Sequence, residues 1–263
     1  MTTLYLSQLW LNARSREAWR DLADCQGLHR TLMRAFPDGI GTDDDGARAR
    51  AGLLFRPETD RRTGIVRILA QSTSLPDWRA LPRGYVAPAG ECPDGWSTRA
   101  VPETVWNTVA GARRRFRLRA NVTAKVFGNR VPLRTEAAQI AWLLSHATAA
   151  GFRVTLPAPG EVLPDGHREA KRAHDLAGIA PVDGLPPVRI DRDNPVTGLR
   201  PDDKATAGAS EGTRPARSRI SFEGLVYEGI LEVADPVRFA TAVCRGIGPA
   251  KAYGYGLLSV APA

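Results

Sequence analysis

The sequence predicts an α+β protein built from two tandem βαββαβ units, the ferredoxin-like or RRM-like arrangement. Two observations carry that prediction. The order strand, helix, paired strands occurs once in the first 90 residues and begins again after residue 110, and a stretch rich in Pro and Gly separates the two. Elements in this order place helices on one face of an antiparallel sheet. The boundaries read as a first unit over 1–90, a linker over 91–110 and a second unit over 111–263, with an insert at about 157–216.

Each element has a local reason. "TLYLSQLWLN" alternates apolar and polar residues, the pattern of a half-buried strand. Ser15 can cap a helix with Glu17 in its first turn, and helical spacing runs on through "REAWRDLADCQGLHRTLMRAF", with a break expected at Gly27 and an end at Pro37. "AGLLFRPE" and "GIVRILAQST" read as two strands joined by "TDRRTG". "PDWRALPRGYVAPAGECPDGW" reads as a linker with room for one short edge strand. In the second unit "RRRFRLRANVTAKVF" is a strand and "RVPLRT" its return. "TEAAQIAWLLSHATAAG" is a helix capped by Thr135, with Ile140, Leu143, Leu144 and Ala147 on one face and Gly151 as its stop. "RISFEGLVYEGILEVAD" is a strand or hairpin, Asp235-Pro236 starts a helix that ends at Gly246, and "AYGYGLLSVAP" returns as the last strand. The tract 157–216 has no periodicity and reads as a long, partly mobile loop.

Charge narrows the function. The chain has 263 residues, 36 Lys+Arg against 28 Asp+Glu, and a formal net charge of +8. Such a surface suits an anionic partner: nucleic acid, an acidic protein or a membrane. There is no apolar run long enough to span a bilayer, no Lys-rich amphipathic helix and no basic n-region before the first strand, so no membrane role is expected. Cys25, Cys92 and Cys244 are odd in number and far apart, which fits a reducing, cytoplasmic setting and three small hydrophobes.

Three features carry chemistry. "RRRFRLR" holds five arginines, and strand alternation puts Arg113, Arg115, Arg117 and Arg119 on one face with Phe116, Leu118 and Ala120 on the other. Guanidinium groups in a row can follow a phosphate backbone; the plainer reading is a solvated sheet face. No acidic partner lies within that segment. "GIGPAKAYGYG" holds Gly246, Gly248, Gly254 and Gly256 around Lys251. Glycines let backbone N–H groups approach a polyanion, while a helix C-cap and tight turn would explain Gly246 alone. It is neither a dinucleotide fingerprint nor a Walker A loop. His29 stands two residues after Gly27 with Arg30 and Arg34 at helical reach. On the residues alone it reads first as a surface helix histidine and second as an acid–base group titrating near neutrality. His146, His167 and His174 share no metal-ligand spacing with Cys or acidic residues, so no metal site is expected. The aromatic pattern by which RRM sheets stack RNA bases is missing from "RFRLRANV".

Taken together, "LHRTLMRAFPD", "FRLRAN", "EAAQIAWL" and "GIGPAKAYGYGLLSVAP" resemble the CRISPR-associated endoribonucleases of the CasE (Cse3) type, the repeat-processing subunits of type I-E Cascade. The likeness runs from residue 4 to residue 262, apart from the insert. It implies two ferredoxin-like domains that grip the hairpin of a CRISPR repeat and cut once at the 3′ base of the stem without metal or other cofactor. The family histidine maps onto His29, which reverses the first reading of that residue. The 2′-hydroxyl would attack the scissile phosphate and leave a 5′-hydroxyl and a 2′,3′-cyclic or 3′-phosphate. The crRNA and the other Cascade subunits, chiefly the backbone subunit, would be the partners. RNA contacts are expected from Arg30, Arg113, Arg115, Arg117, Arg119, Lys125, Arg130, Arg217 and Arg219, and from the loop of Gly246, Gly248, Lys251, Gly254 and Gly256. Some members carry a tyrosine three residues before the histidine and a lysine five after it. Here those positions are Gln26 and Arg34. Gln can hydrogen-bond but not serve as acid or base, and Arg does not readily release a proton. The alternative is therefore a non-cleaving subunit that holds the same hairpin. A small-molecule enzyme on this fold would want fewer arginines and an apolar pocket with carboxylates.

Overall fold

The computed structural model describes residues 2–36, 45–60, 62–156, 184–201 and 217–263. The first unit runs β1 (Tyr5–Trp10), α1 (Arg16–Ala23), α2 (Cys25–Met33), α3 (Asp45–Ala51), β2 (Leu54–Thr59), β3 (Val66–Ser72), a 3-10 turn (Trp78–Ala80) and β4 (Trp96–Ala100). Its antiparallel sheet has the order β2-β3-β1-β4, the ferredoxin-like order. The second runs α4 (Glu103–Trp106), β5 (Arg113–Ala120), β6 (Thr123–Val126), β7 (Asn129–Pro132), α5 (Glu136–Ala149), β8 (Phe152–Val154), β9 (Arg189–Arg192), β10 (Val196–Pro201), β11 (Arg217–Phe222), β12 (Leu225–Val233), α6 (Pro236–Arg245), a 3-10 turn (Lys251–Tyr253) and β13 (Leu258–Pro262). Its sheet repeats the order as β13-β5-β12-β8, with β9 also paired to β12. The two-unit α+β architecture is the one the sequence predicts.

Four local expectations change. The segment read as a linker holds β4, which pairs with β1 from Leu9↔Trp96 to Tyr5↔Ala100. A 3-10 turn precedes it; its Trp78 is buried and the indole N–H donates to Thr98 Oγ1 at 3.1 Å. The first helix breaks at Asp24, not at Gly27. Asp24 has extended backbone and its carboxylate accepts from the Gln26 N–H, so it caps a new helix. Gly27 instead lets the two helices approach: a Cβ there would meet Asp21 Oδ1 at 3.1 Å. "RVPLRT" pairs with residues 123–126 in a separate hairpin, not with the arginine strand. Of the long insert, read as a loop, β9 and β10 are strands, β10 pairs with β11, and residues 157–183 and 202–216 lie outside the described residues.

Each unit buries its own apolar face, one around Leu9, Leu32, Phe55 and Trp78, the other around Phe116, Leu118, Leu143 and Phe239. Between them Leu54, Leu69 and Leu257 form a third cluster, and Gln71 Nε2 donates to the Val243 carbonyl at 2.7 Å. The glycine loop closes this seam. Gly246, Gly248, Gly254 and Gly256 all have left-handed φ, between 73° and 84°. A Cβ on Gly246 would lie 2.7 Å from the Gly256 carbonyl oxygen, and one on Gly256 would lie 2.7 Å from that of Ile247. The loop whose glycines suggested an open approach for a polyanion is therefore packed at Gly246 and Gly256.

Gly256→Ala is expected to cost about 3 kcal/mol, the left-handed penalty plus overpacking. Gly128→Ala, with φ of 85° but nothing within 4 Å of the added Cβ, is expected to cost about 1 kcal/mol. Urea unfolding midpoints of the two variants separate these terms.

Candidate active site and basic surface

The site begins with how α2 is held. Asp21 is buried at the end of α1, and its carboxylate Oδ2 accepts from Thr31 Oγ1 at 2.6 Å and from the Tyr85 hydroxyl at 3.1 Å. Burial and that carboxylate push the Tyr85 phenol up, so it stays protonated. Leu28, Leu32 and Met33 fill the core beneath the helix. Three contacts come from the second unit to the helix start: Thr197 Oγ1 donates to Ala23 O, Leu199 N–H donates to Asp24 Oδ1, and Gly198 lies against Cys25. Burial is the main reason the Cys25 thiol is pushed up to about 12.

His29 is 7 % exposed, on the margin between this core and the polar face. Gln26 lies one turn before it, and Arg30 is exposed. Arg34 caps the end of α2 and is also exposed. At about 100° per residue it stands about 140° round from His29, so the helix does not bring those two side by side. The structure adds a neighbour that the sequence reading missed. The Tyr253 hydroxyl, from the 3-10 turn of the glycine loop, donates to Gln26 Oε1 at 3.1 Å, and its ring stacks on Phe222 at 4.8 Å. The only sequence signal was a second aromatic in "AYGYG".

The arginine strand faces the other unit across a cleft of about 990 Å³, with Arg56, Glu58 and Arg67 on the opposite wall. The row has no acidic partner within its own segment, and the fold brings acidic partners to it from elsewhere. Arg113 pairs with Glu232 at 3.6 Å, and Arg117 with Glu228 at 2.9 Å and Glu58 at 3.7 Å. Arg115 Nε donates to the Pro262 carbonyl. Arg119 is buried: it pairs with Asp193, donates to the Gly254 carbonyl and lies over the Tyr255 ring at 4.7 Å. It braces the loop, whereas Arg113, Arg115 and Arg117 remain exposed. Across the cleft Glu58 receives two bonds from the buried Arg56 and one from Arg67. Burial alone would raise the Glu58 carboxyl, but Arg56 and Arg67 outweigh it and hold it below its ordinary value.

Arg219 is exposed on the β10–β11 ribbon, opposite Leu199, which itself touches Asp24, so the fold does bring it to α2. The backbone of Arg217 lies two residues further along the same strand. Lys251 is half-buried in the loop; burial and nearby Arg48 lower its pKa. Lys125 and Arg130 stand opposite each other on the exposed β6–β7 hairpin, whose tip carries a fully exposed Phe127. Arg113 lies six residues from Arg119, about 20 Å along the strand and away from α2.

Comparison with known proteins now places this arrangement. A family described as CRISPR associated protein matches residues 4–262. The chain belongs to that family. This family member is 34% identical over 263 residues to the CRISPR-associated endoribonuclease Cse3 of Thermus thermophilus, covering 98% of this chain and 100% of the relative. It is similar to a structure of CRISPR endoribonuclease Cse3 bound to 19 nt RNA, with a TM-score of 0.68 at 31% identity, covering 99% of this chain and 100% of that one. It is also similar to Thermus thermophilus Cse3 bound to an RNA representing a pre-cleavage complex, with a TM-score of 0.66 at 29% identity, covering 99% of this chain and 100% of that one.

Glu58→Gln leaves Arg56 buried without its counter-charge and is expected to cost about 3 kcal/mol at pH 7. The folded carboxyl is held low, so this stability is present above the ordinary carboxylate pKa and is lost as pH falls through the lower folded value. Urea midpoints measured from pH 7 down to pH 3 should fall for the native chain and flatten in the variant.

Proposed function

We propose that this protein is an endoribonuclease that cleaves CRISPR repeat precursor RNA once, at the 3′ base of its hairpin, and keeps the product. The observation that carries the reading is the similarity to an endoribonuclease across the length of both chains, which takes in the histidine helix, the arginine strand and the glycine loop. The chemistry is transesterification. His29 moves a proton while the 2′-hydroxyl attacks the adjacent phosphate. The P–O5′ bond breaks, leaving a 5′-hydroxyl and a 2′,3′-cyclic phosphate that can open to a 3′-phosphate. No step calls for a metal ion. The work falls on positioning, proton transfer and positive charge at the phosphate.

In this reading the stem lies on the exposed cations. Arg113, Arg115 and Arg117 are held by partly exposed ion pairs or a carbonyl, contacts that contribute little in water and that phosphate oxygens can replace. Lys125 and Arg130 offer two more charges beside Phe127, an apolar surface for a base at the stem's open end. Arg30 and Arg219 sit by α2, where the scissile phosphate would be; Arg34, at the helix end, adds charge to the same surface. Arg119 and the four glycines act indirectly, by holding the loop. The complex that keeps the product is Cascade, with the backbone subunit as chief neighbour, in the cytoplasm. Among the described residues no helix is long and apolar enough to cross a membrane.

A second reading, a hairpin holder that does not cut, draws on Gln26 in the tyrosine position and on the near-complete burial of His29. One gel assay in EDTA separates the two, using the repeat RNA of the same genome. Cleavage by the wild type, with none by His29→Ala and none of a substrate with a 2′-deoxy residue before the scissile phosphate, while binding persists, is the expected result. A wild type that binds and never cuts would establish the holder. Lys125→Ala and Arg130→Ala are each expected to reduce the slope of log K against log salt by about 0.8, read by filter binding.

A further inference from the structure

Transesterification moves two protons, one off the 2′-hydroxyl and one on to the departing 5′-oxygen. The turn of α2 that carries His29 presents only one imidazole, and Gln26 beside it can neither give nor take a proton. The Tyr253 phenol reaches that same turn. Its hydroxyl donates to Gln26 Oε1 at 3.1 Å, and residues 26 and 29 are i,i+3 neighbours, about 5–6 Å apart at Cβ. The ring and the turn that carries it are both held. It stacks on Phe222 with planes 27° apart. The turn that carries it is bounded by Ala250 and Gly254, both left-handed, with φ of 62° and 84°. Ala250 is a non-glycine residue in that region, a strained conformation that the surrounding packing must maintain. Tyr253 is half-buried, not sealed in the core.

We propose that Tyr253 is the second proton carrier of the cleavage, an inference that rests on the endoribonuclease reading above. The balance is simple. The neutral His29 imidazole takes the 2′-hydroxyl proton as the O2′–P bond forms. The Tyr253 phenol gives its proton to O5′ as the P–O5′ bond breaks. The products are the cyclic phosphate, a 5′-hydroxyl, an imidazolium and a phenolate, and solvent returns the proton from imidazolium to phenolate. Gln26 is a positioning residue that holds the phenol over the turn of His29.

Tyr253→Phe keeps the stack on Phe222 and removes only the hydroxyl. Single-turnover cleavage is compared on two repeat RNAs, one ordinary and one with sulfur in place of the bridging 5′-oxygen, whose leaving group needs no proton. Tyr253→Phe is expected to slow cleavage of the ordinary RNA about 100-fold, with unchanged binding and unfolding midpoint. It should cut the sulfur substrate within a few-fold of the wild type, and adding Gln26→Tyr should restore part of the rate on the ordinary RNA. Equal loss on both substrates, or ordinary cleavage within twofold of the wild type, overturns the proposal while leaving the endoribonuclease reading in place. A wild type that cuts neither RNA overturns both.

Discussion

The closure of the 246–256 loop is the constraint on which the rest of this structure depends. The Ile247 N–H donates to the Gly256 carbonyl, and the Gly256 N–H donates to the Arg119 carbonyl of the arginine strand. Those two bonds stitch the end of α6 to the start of β13 and to the middle of the second sheet. The geometry requires left-handed backbone at four places and leaves no room for a side chain at Gly246 or Gly256. From this closed loop Leu257 reaches the apolar seam between the units, and Tyr253 reaches the histidine helix. A loop that looks like a binding device in the sequence is first a joint.

The second constraint is charge. The arginine strand and the outer face of the first sheet look at each other, and both carry guanidinium groups. Glu58 stands between them, bonded to Arg56 and Arg67 and 3.7 Å from Arg117, while Asp193, Glu228 and Glu232 pair the arginines within the second unit. The deeper pairs organise the protein: Arg56 and Arg119 are buried and have committed partners. The shallower pairs hold Arg113 and Arg117 at the surface. One strand thus supplies both a buried, committed cation and exposed ones, and depth in the cleft sorts them.

The helix of His29 shows where residue patterns are legible and where they are not. The serine that caps α1, the helical spacing that runs on into α2 and the histidine itself were all readable. The break was not. Asp24 outcompetes Gly27 because its carboxylate can satisfy a free N–H of the next helix, while Gly27 is needed for close approach of Asp21. The β4 strand, just after the Pro- and Gly-rich stretch, went unread because an edge strand needs little pattern of its own; its partner β1 supplies the register.

By itself the sequence determined the fold class, the strand and helix order, the basic balance and, through resemblance, the family and its histidine. These are properties of local periodicity, caps and motif spacing, which each segment carries alone. Tertiary structure decided the rest. It paired the arginines with carboxylates from elsewhere in the fold, buried Arg119, and brought Tyr253 to Gln26 across 227 positions of chain. Such contacts leave no trace in spacing, because two residues meet there only when both sheets and the glycine joint are already in place.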